Sequence, residues 1–190
     1  MKTTVLIIGH PHYESSVATK KITDTFIRNV ELAGELQKLE IRNLIELYPD
    51  YRINKLSEQE ALIKAENVIL QFPFYWYNVP AILKLWMDEV LEYGFAYGKS
   101  GDKMKGKNLV LSFSTGGPKE AYSATGRNNY EITDLLKPFI QTSNLMGTHF
   151  TEPVTSHGNM YIPGIYNSKE DIENKAVQHA AQLFNLINSI

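Results

Sequence analysis

Short apolar runs alternate with helix-forming segments along the whole chain, and this alternation limits the fold more than any other feature. Runs with the length of strands occur at residues 4–9, 39–42, 68–72, 109–113 and 147–150. Segments with helical periodicity follow them at residues 16–32, 58–65, 80–91, 132–142 and 169–188. Strands that alternate with helices form a parallel sheet with helices on both faces. The sequence therefore predicts an α/β protein with a single domain over residues 1–190.

The order of these elements narrows the prediction. It matches a doubly wound, flavodoxin-like fold with a five-stranded parallel sheet in the order 2-1-3-4-5. The pattern over residues 57–60 predicts a capping box, and Ser168 with Asp171 predicts the start of the last helix. Gly34 predicts a helix end, and Pro138 predicts a kink or a helix start. The apolar stripe of the last helix is predicted to contain Ala176, Val177, Ala180, Leu183, Phe184 and Ile187.

Composition excludes several classes of function. The chain has no cysteine, which excludes disulfides, thiolate metal sites and cysteine nucleophiles and favours a reducing compartment. The formal net charge of −2 gives no basic surface for nucleic acid, so we expect no such partner. No apolar run approaches the ~18 residues of a membrane span, and the first residues lack the apolar core of a signal peptide. We predict a cytoplasmic protein.

An aromatic cluster follows the third predicted strand. Five of the six residues from Phe72 to Tyr77 are aromatic, and a helical segment begins at Pro80. This turn lies at the carboxyl end of a strand, where open α/β sheets bind ligands. Clustered aromatic rings favour a flat, conjugated ligand such as a flavin. The alternative is that they are core side chains that cap the sheet, and composition alone does not separate the two.

Two further loops follow predicted strands at the same edge of the sheet. In the first, residues 9–19, hydroxyl groups of Ser15, Ser16 and Thr19 stand at a helix N-terminus, which attracts anions such as phosphate. Ser16 taken alone is equally explained as an ordinary helix cap. In the second, residues 114–117, two glycines allow a ligand to approach the backbone closely. The histidines at positions 10, 12, 149 and 157 lack metal-ligand spacing, and we predict no metal site.

The helix predicted from Pro80 to Leu91 is unusually apolar. Eight of its twelve residues are apolar, more than one sheet-facing side requires. We expect a second face to be covered, either by a partner subunit or by the following loop, residues 92–107. Of these two, the sequence favours the partner subunit.

Three segments together resemble a known family. They are FPFYWYNVPAILK at residues 72–84, FAYG at residues 95–98, and STGG at residues 114–117, which Tyr122 follows. They resemble the NAD(P)H:quinone oxidoreductase (DT-diaphorase) family. The shorter bacterial members are especially similar, including the ancillary oxidoreductases of glutathione-gated potassium efflux systems. The resemblance covers nearly the whole chain.

The resemblance implies roles for individual residues. By it, the flavin phosphate is bound by His10, Ser16, Val17, Ala18 and Thr19. The flavin ring is held by Pro73, Phe74, Tyr75, Trp76 and Tyr77, and its polar edge is bordered by Ser114, Thr115, Gly116 and Gly117. Tyr122 and Asn128 are implied as catalytic residues near the reacting end of the ring. Larger animal members have a histidine where this chain has Asn128, and many members have asparagine where this chain has Thr19.

The resemblance also implies the reaction and the assembly. FMN is expected as the cofactor, with FAD as the alternative, because the chain ends soon after the fifth βα unit. NAD(P)H is expected to reduce the flavin, and a quinone to take two electrons from it, in a homodimer. The alternative is a regulatory subunit that docks on a membrane potassium-efflux transporter. A one-electron carrier is disfavoured, because such carriers usually present an acidic face and this chain is nearly neutral.

Overall fold

The structure, a computed structural model, describes residues 1–190 and contains one parallel sheet. The strand order is β2-β1-β3-β4-β5, and β6 also pairs with β4. All the pairings are parallel. This confirms the predicted flavodoxin-like order. The strands are β1 Thr4–Ile8, β2 Leu39–Asn43, β3 Asn67–Pro73, β4 Asn108–Ser114, β5 His149–Phe150 and β6 Val154–Ser156.

Helices cover both faces of the sheet, as predicted. They are α1 Ala18–Leu32, α2 Leu44–Leu47, α3 Lys55–Lys64, α4 Ala81–Val90, α5 Ile132–Leu135, α6 Lys137–Met146 and α7 Lys169–Ser189. Neighbouring strand residues point to opposite faces. Val5 and Ile7 of β1 therefore join one core cluster, with α3, α4 and α6, whereas Leu6 and Ile8 join the other, with α1 and α7. None of these helices is both long and apolar enough to cross a membrane.

The fifth strand position differs from the prediction because two short strands share it. Asn108 pairs with His149, but Ser112 pairs with Val154. The edge segment, residues 149–154, therefore contains one residue more than residues 108–112 of β4, with which it pairs. Pro153 immediately precedes β6 and has no N–H to donate to a ladder. The prediction of a single strand ending at Phe150 was therefore incomplete. The continuation through β6 brings residues 157–161 to the carboxyl edge of the sheet.

The predicted capping box at residues 57–60 was wrong. The cap of α3 is Asn54, whose side chain accepts a hydrogen bond from the backbone N–H of Ser57 at 3.2 Å. Ser57 and Glu58 face the protein interior instead, where the Ser57 hydroxyl accepts from Arg42. The other helix-end predictions are confirmed. Ser168 and Asp171 form a capping box, Gly34 has a φ of +71°, and Pro138 lies in the first turn of α6.

Glu58 is fully buried and satisfied by several donors. Its carboxylate accepts from Trp86 Nε1 at 2.8 Å and from the Tyr48 hydroxyl at 2.5 Å, and it forms an ion pair with Arg42. These contacts join β2, α3 and α4. A buried carboxylate is tolerated only when it is paired in this way. Glu58 therefore ties helix α4 to the rest of the layer.

The apolar stripe of α7 was predicted with one error. Ala176, Ala180, Leu183 and Ile187 are buried, and Phe184 is partly buried, but Val177 is 43 % exposed. Ile172 and His179 are buried in its place. Both lie on the face defined by the 3.6-residue period, whereas Val177 lies beside it.

The loop at residues 92–107 contributes to the burial of helix α4. Trp86 and Val90 are buried in one cluster with Phe95, Ala96 and Met104, which belong to the loop at residues 92–107. Leu85 and Met87 are only partly buried. The loop thus accounts for part of the burial of α4, and the partner subunit that the sequence favoured stays a prediction.

We predict that Glu58→Gln destabilises the protein by about 3–5 kcal/mol, because it breaks a buried ion pair and leaves Arg42 with only the more distant carboxylate of Glu40, at 3.6 Å. Glu60→Gln is the matched control, since Glu60 is exposed on the same helix. It should change the free energy of unfolding by no more than about 0.5 kcal/mol. Urea denaturation measures both. Equal stabilities of the two variants would contradict the structural role of Glu58.

Candidate functional site

The carboxyl edge of the sheet opens into a cavity of about 570 Å³, which lies within the usual range of about 300–1,000 Å³ for small-molecule sites. Its walls come from the loops that follow β1, β3, β4 and β6. Twelve of the residues that sequence reasoning assigned to cofactor binding line it: His10, Ser16, Val17, Ala18, Thr19, Pro73, Phe74, Tyr75, Trp76, Ser114, Thr115 and Gly116. One cavity thus brings together the three predicted loops.

The other predicted residues line an adjoining cavity of about 270 Å³. They are Tyr77, Gly117, Tyr122 and Asn128. Phe74, Trp76 and Met160 line both cavities, so the two are continuous around the aromatic turn. The Tyr77 hydroxyl donates to Asn128 Oδ1 at 3.1 Å. The structure therefore places both predicted catalytic residues beside the predicted cofactor residues.

The start of α1 presents hydrogen-bond donors to the larger cavity. Ser16 Oγ accepts from the backbone N–H of Thr19 at 3.1 Å, which leaves its own O–H free to donate. The N–H groups of Val17 and Ala18 have no partner within the chain, as is usual for a first helical turn. The buried Thr19 Oγ1 has none either. Ser16 thus acts as a helix cap and still has a donor available for an anion.

His10 adds a neutral donor to this group. Its Nδ1 accepts from the backbone N–H of His12 at 3.0 Å, so in the neutral ring the proton is on Nε2. Burial, and then the neighbouring His12, lower the pKa of His10 to about 4. The ring is therefore uncharged near pH 7 and has one N–H to offer.

The aromatic turn combines a core part with an exposed part. Phe72 is fully buried and stacks on Phe113 with ring centroids 5.4 Å apart. Trp76 is 93 % exposed. Trp76 and Tyr77 have φ values of 50° and 61°, in the left-handed region that non-glycine residues rarely adopt. Each of the two interpretations holds for part of the cluster, because Phe72 is a core side chain whereas residues 73–77 line the cavities.

Backbone strain at this turn has a structural origin. The N–H of Asn78 donates to the carbonyl of Tyr75 at 2.9 Å, which closes a tight turn with Trp76 and Tyr77 at its centre. Two successive left-handed residues are typical of a type I′ turn, which usually contains Asn or Gly. Strain of this kind costs about 1–3 kcal/mol per residue and concentrates at ligand sites.

The loop at residues 114–117 leaves room that the protein itself does not fill. A Cβ atom added to Gly116 would be no nearer than 3.6 Å to any neighbour, and one on Gly117 no nearer than 3.5 Å. Neither glycine has a positive φ. The packing within the chain therefore does not require glycine at these positions. Close approach of a ligand to the backbone explains both.

Sequence reasoning missed a fourth wall of the cavity. Asn159, Met160 and Tyr161 form this wall, whereas His12 and Ser15 of the first loop line the same cavity. Asn159 Nδ2 donates to the Ser156 carbonyl at 2.9 Å, while its buried Oδ1 has no partner. Asn159, Met160 and Tyr161 follow β6, and recognition of that strand would have revealed them. No three His, Cys, Asp or Glu side chains are grouped so as to hold a metal ion.

The fold and the cavity together define a flavodoxin-like α/β protein with a ligand site at the carboxyl edge of its sheet. The flavodoxin-like fold family, Flavodoxin_2, matches residues 2–183, and the chain belongs to this family. YrkL of Bacillus subtilis, named as an uncharacterized NAD(P)H oxidoreductase, is 38 % identical over 176 residues, 93 % of this chain and 94 % of the relative. The potassium-efflux ancillary protein KefF of Salmonella typhimurium is 37 % identical, over 80 % of this chain and 82 % of its own.

Solved structures resemble the whole chain. General stress protein 14 of Treponema denticola, in complex with FMN, has a TM-score of 0.83 at 29 % identity, over 97 % of this chain and 99 % of that chain. An NADPH-quinone reductase of P. pentosaceus has a TM-score of 0.75 at 26 % identity, over 96 % of this chain and 97 % of that chain.

We predict that Trp76→Gly stabilises the chain by about 1 kcal/mol, because glycine relieves the strain of the left-handed conformation. The same substitution removes an exposed ring from the cavity wall and should weaken binding of flavin, measured by fluorescence quenching. Tyr51→Gly is the control, since Tyr51 has a φ of 61° outside the site. It should leave flavin affinity unchanged. If Trp76→Gly retains full flavin affinity, the ring does not contact the ligand.

Proposed function

We propose that this protein is a flavin-dependent NAD(P)H:quinone oxidoreductase whose residues 1–190 act as one FMN-binding domain. The observation that carries the proposal is a single cavity that joins unpaired donors at a helix N-terminus to an aromatic turn. Unpaired donors at a helix N-terminus suit a phosphate group, and clustered aromatic rings suit a conjugated ring system. The FMN complex of the Treponema denticola relative and the names of the oxidoreductase relatives support it.

The residues present fit FMN well. The amides of Val17 and Ala18, with the hydroxyls of Ser16 and Thr19, would hold its phosphate. The His10 Nε2–H would add a neutral donor. The turn at residues 73–77 would hold the ring, and residues 114–117 would border its polar edge. When bound, FMN supplies a carrier that takes two electrons from NAD(P)H and passes them to the acceptor.

Tyr122 is the residue that would assist the acceptor. Burial raises the pKa of its hydroxyl, although interactions with Thr115 and Asn128 oppose the shift. The phenol therefore stays protonated near pH 7 and can donate to a quinone oxygen as negative charge develops there. Asn128 accepts from Tyr77, and its amide group does not release a proton near pH 7, so we assign it a role in orienting Tyr77 and the acceptor.

The assembly and location belong to the same proposal. A homodimer is supported by the exposed aromatic side chains of the site itself, with Trp76 93 %, Tyr77 47 % and Tyr75 43 % exposed. A cytoplasmic location is supported by the supply of NAD(P)H there. The name of the Salmonella relative supports a second candidate role, as an ancillary subunit of a potassium-efflux transporter. Co-purification with a membrane partner would favour that role.

We predict that Ser16→Asp lowers FMN affinity much more than riboflavin affinity, because the new carboxylate repels only the phosphate. Ser16→Ala is the control for loss of the hydroxyl alone and should cost far less. Isothermal titration of the apoprotein with both ligands measures the difference. A similar loss for both ligands would place the phosphate elsewhere.

We predict that Tyr122→Phe slows re-oxidation of the reduced flavin by quinone about 10²-fold, the usual contribution of one well-placed donor. The substitution keeps the ring and its packing, so the flavin content should be unchanged. Stopped-flow absorbance follows this half-reaction directly. Tyr130→Phe removes the hydroxyl of an exposed tyrosine and serves as the control. Wild-type re-oxidation by Tyr122→Phe would make Tyr122 a packing residue.

A further inference from the structure

His157 lies where two loops of the site meet, and the function proposed above gives it no role. It directly follows β6, at the carboxyl edge of the sheet. Its Nδ1 is 3.0 Å from Thr115 Oγ1. Its ring centroid is 5.6 Å from that of Tyr122, with the planes inclined at 45°. The imidazole thus contacts one residue of the cofactor cavity and one residue assigned to catalysis.

The loop after β6 is joined to the loop after β4 by a ladder of backbone bonds. Thr115 donates to Ser156 O at 2.9 Å, and Asn159 donates to Thr115 O at 2.9 Å. Gly158 donates to Gly117 O at 2.8 Å. The contact between His157 and Thr115 adds a side chain to this ladder. Thr115 itself is 1 % exposed, so all its polar groups depend on these partners.

The hydrogen bonds fix which ring nitrogen of His157 is protonated. The Thr115 hydroxyl has a single proton, and it donates that proton to Gly117 O at 2.9 Å. It must therefore accept from His157, so Nδ1 is protonated. Burial, and then Lys119, lower the pKa of His157, against an opposite effect of Glu120. The ring is thus neutral near pH 7, with its one N–H on Nδ1.

We propose that His157 is a positioning residue for the quinone reduction assigned above, on which this inference rests. Its Nδ1–H holds the Thr115 hydroxyl, and that hydroxyl sets the direction of the Gly117 carbonyl and lies against Tyr122. A donor at Nδ1 therefore orients both the backbone that borders the ring and the phenol that faces the acceptor. His157 is not among the residues that line the two cavities, so we assign its effect to its contacts with Thr115 and Tyr122.

Two substitutions distinguish the effect of the Nδ1–H group of His157 from the effect of the size of its ring. His157→Asn keeps a donor near the position of Nδ1 but removes most of the ring, whereas His157→Phe keeps the ring and removes the donor. We expect His157→Phe to slow re-oxidation by quinone about tenfold, the scale of a small misplacement of catalytic groups. His157→Asn should recover most of the wild-type rate. If His157→Phe re-oxidised faster than His157→Asn, the ring would serve for packing, and the proposal would be overturned.

A second measurement needs no flavin. Nitrogen NMR of the apoprotein should show the Nδ1–H tautomer for His157, and Thr115→Val should remove that preference. An Nε2–H tautomer in the wild-type apoprotein would overturn the proposal. His149→Phe is the control for both experiments, since His149 is exposed and outside the site. Absence of flavin reduction in the wild type would contradict the proposed function instead, whatever the tautomer.

Discussion

The parallel register of β1, β3 and β4 is the constraint on which the site depends. Ile8 pairs with Gln71, which pairs with Ser112, so the three strands end at nearly the same level. The loops that follow them consequently open on one cavity. All five residues of β1 are buried, and so are all seven of β3. Because helices cover both faces of these strands, the edge of the sheet is the place where polar groups can reach a ligand.

The same buried core supports the strained turn. Phe72 lies between Phe113 and Phe139, and Phe74 contacts Phe113 at 4.9 Å between ring centroids. These rings anchor the strand end, so that the next residues are forced into left-handed conformations and project outward. The free energy lost there is small compared with the burial of the aromatic core. The unfavourable backbone conformation of Trp76 and Tyr77 is thus maintained by the contacts of Phe72 and Phe74, a few residues earlier in the chain.

The alternation of strands and helices determined the order of the sheet, and the three loops could be predicted because each follows a strong apolar strand. β6 could not be predicted, since Val154–Ser156 is too short for a periodic signal and follows a proline. Asn159 was missed with it, and so was the pairing of His157 with Thr115. The contribution of the loop at residues 92–107 to the burial of α4 could not be predicted either. Whether an apolar helix face meets a partner or a loop depends on contacts between residues distant in sequence, such as Trp86 and Met104.

The larger cavity offers hydrogen-bond donors without a charged side chain. The residues that line the cavity include no Lys, Arg, Asp or Glu. Donors come instead from helix amides, hydroxyls and a neutral imidazole, whose directions are fixed by backbone bonds such as those of Ser16 and His10. A lysine would attract a phosphate from any direction and adapt to it, whereas fixed dipoles favour one position of the ligand. Selectivity at this edge of the sheet therefore follows from the geometry of the loops, which the parallel register of the strands imposes.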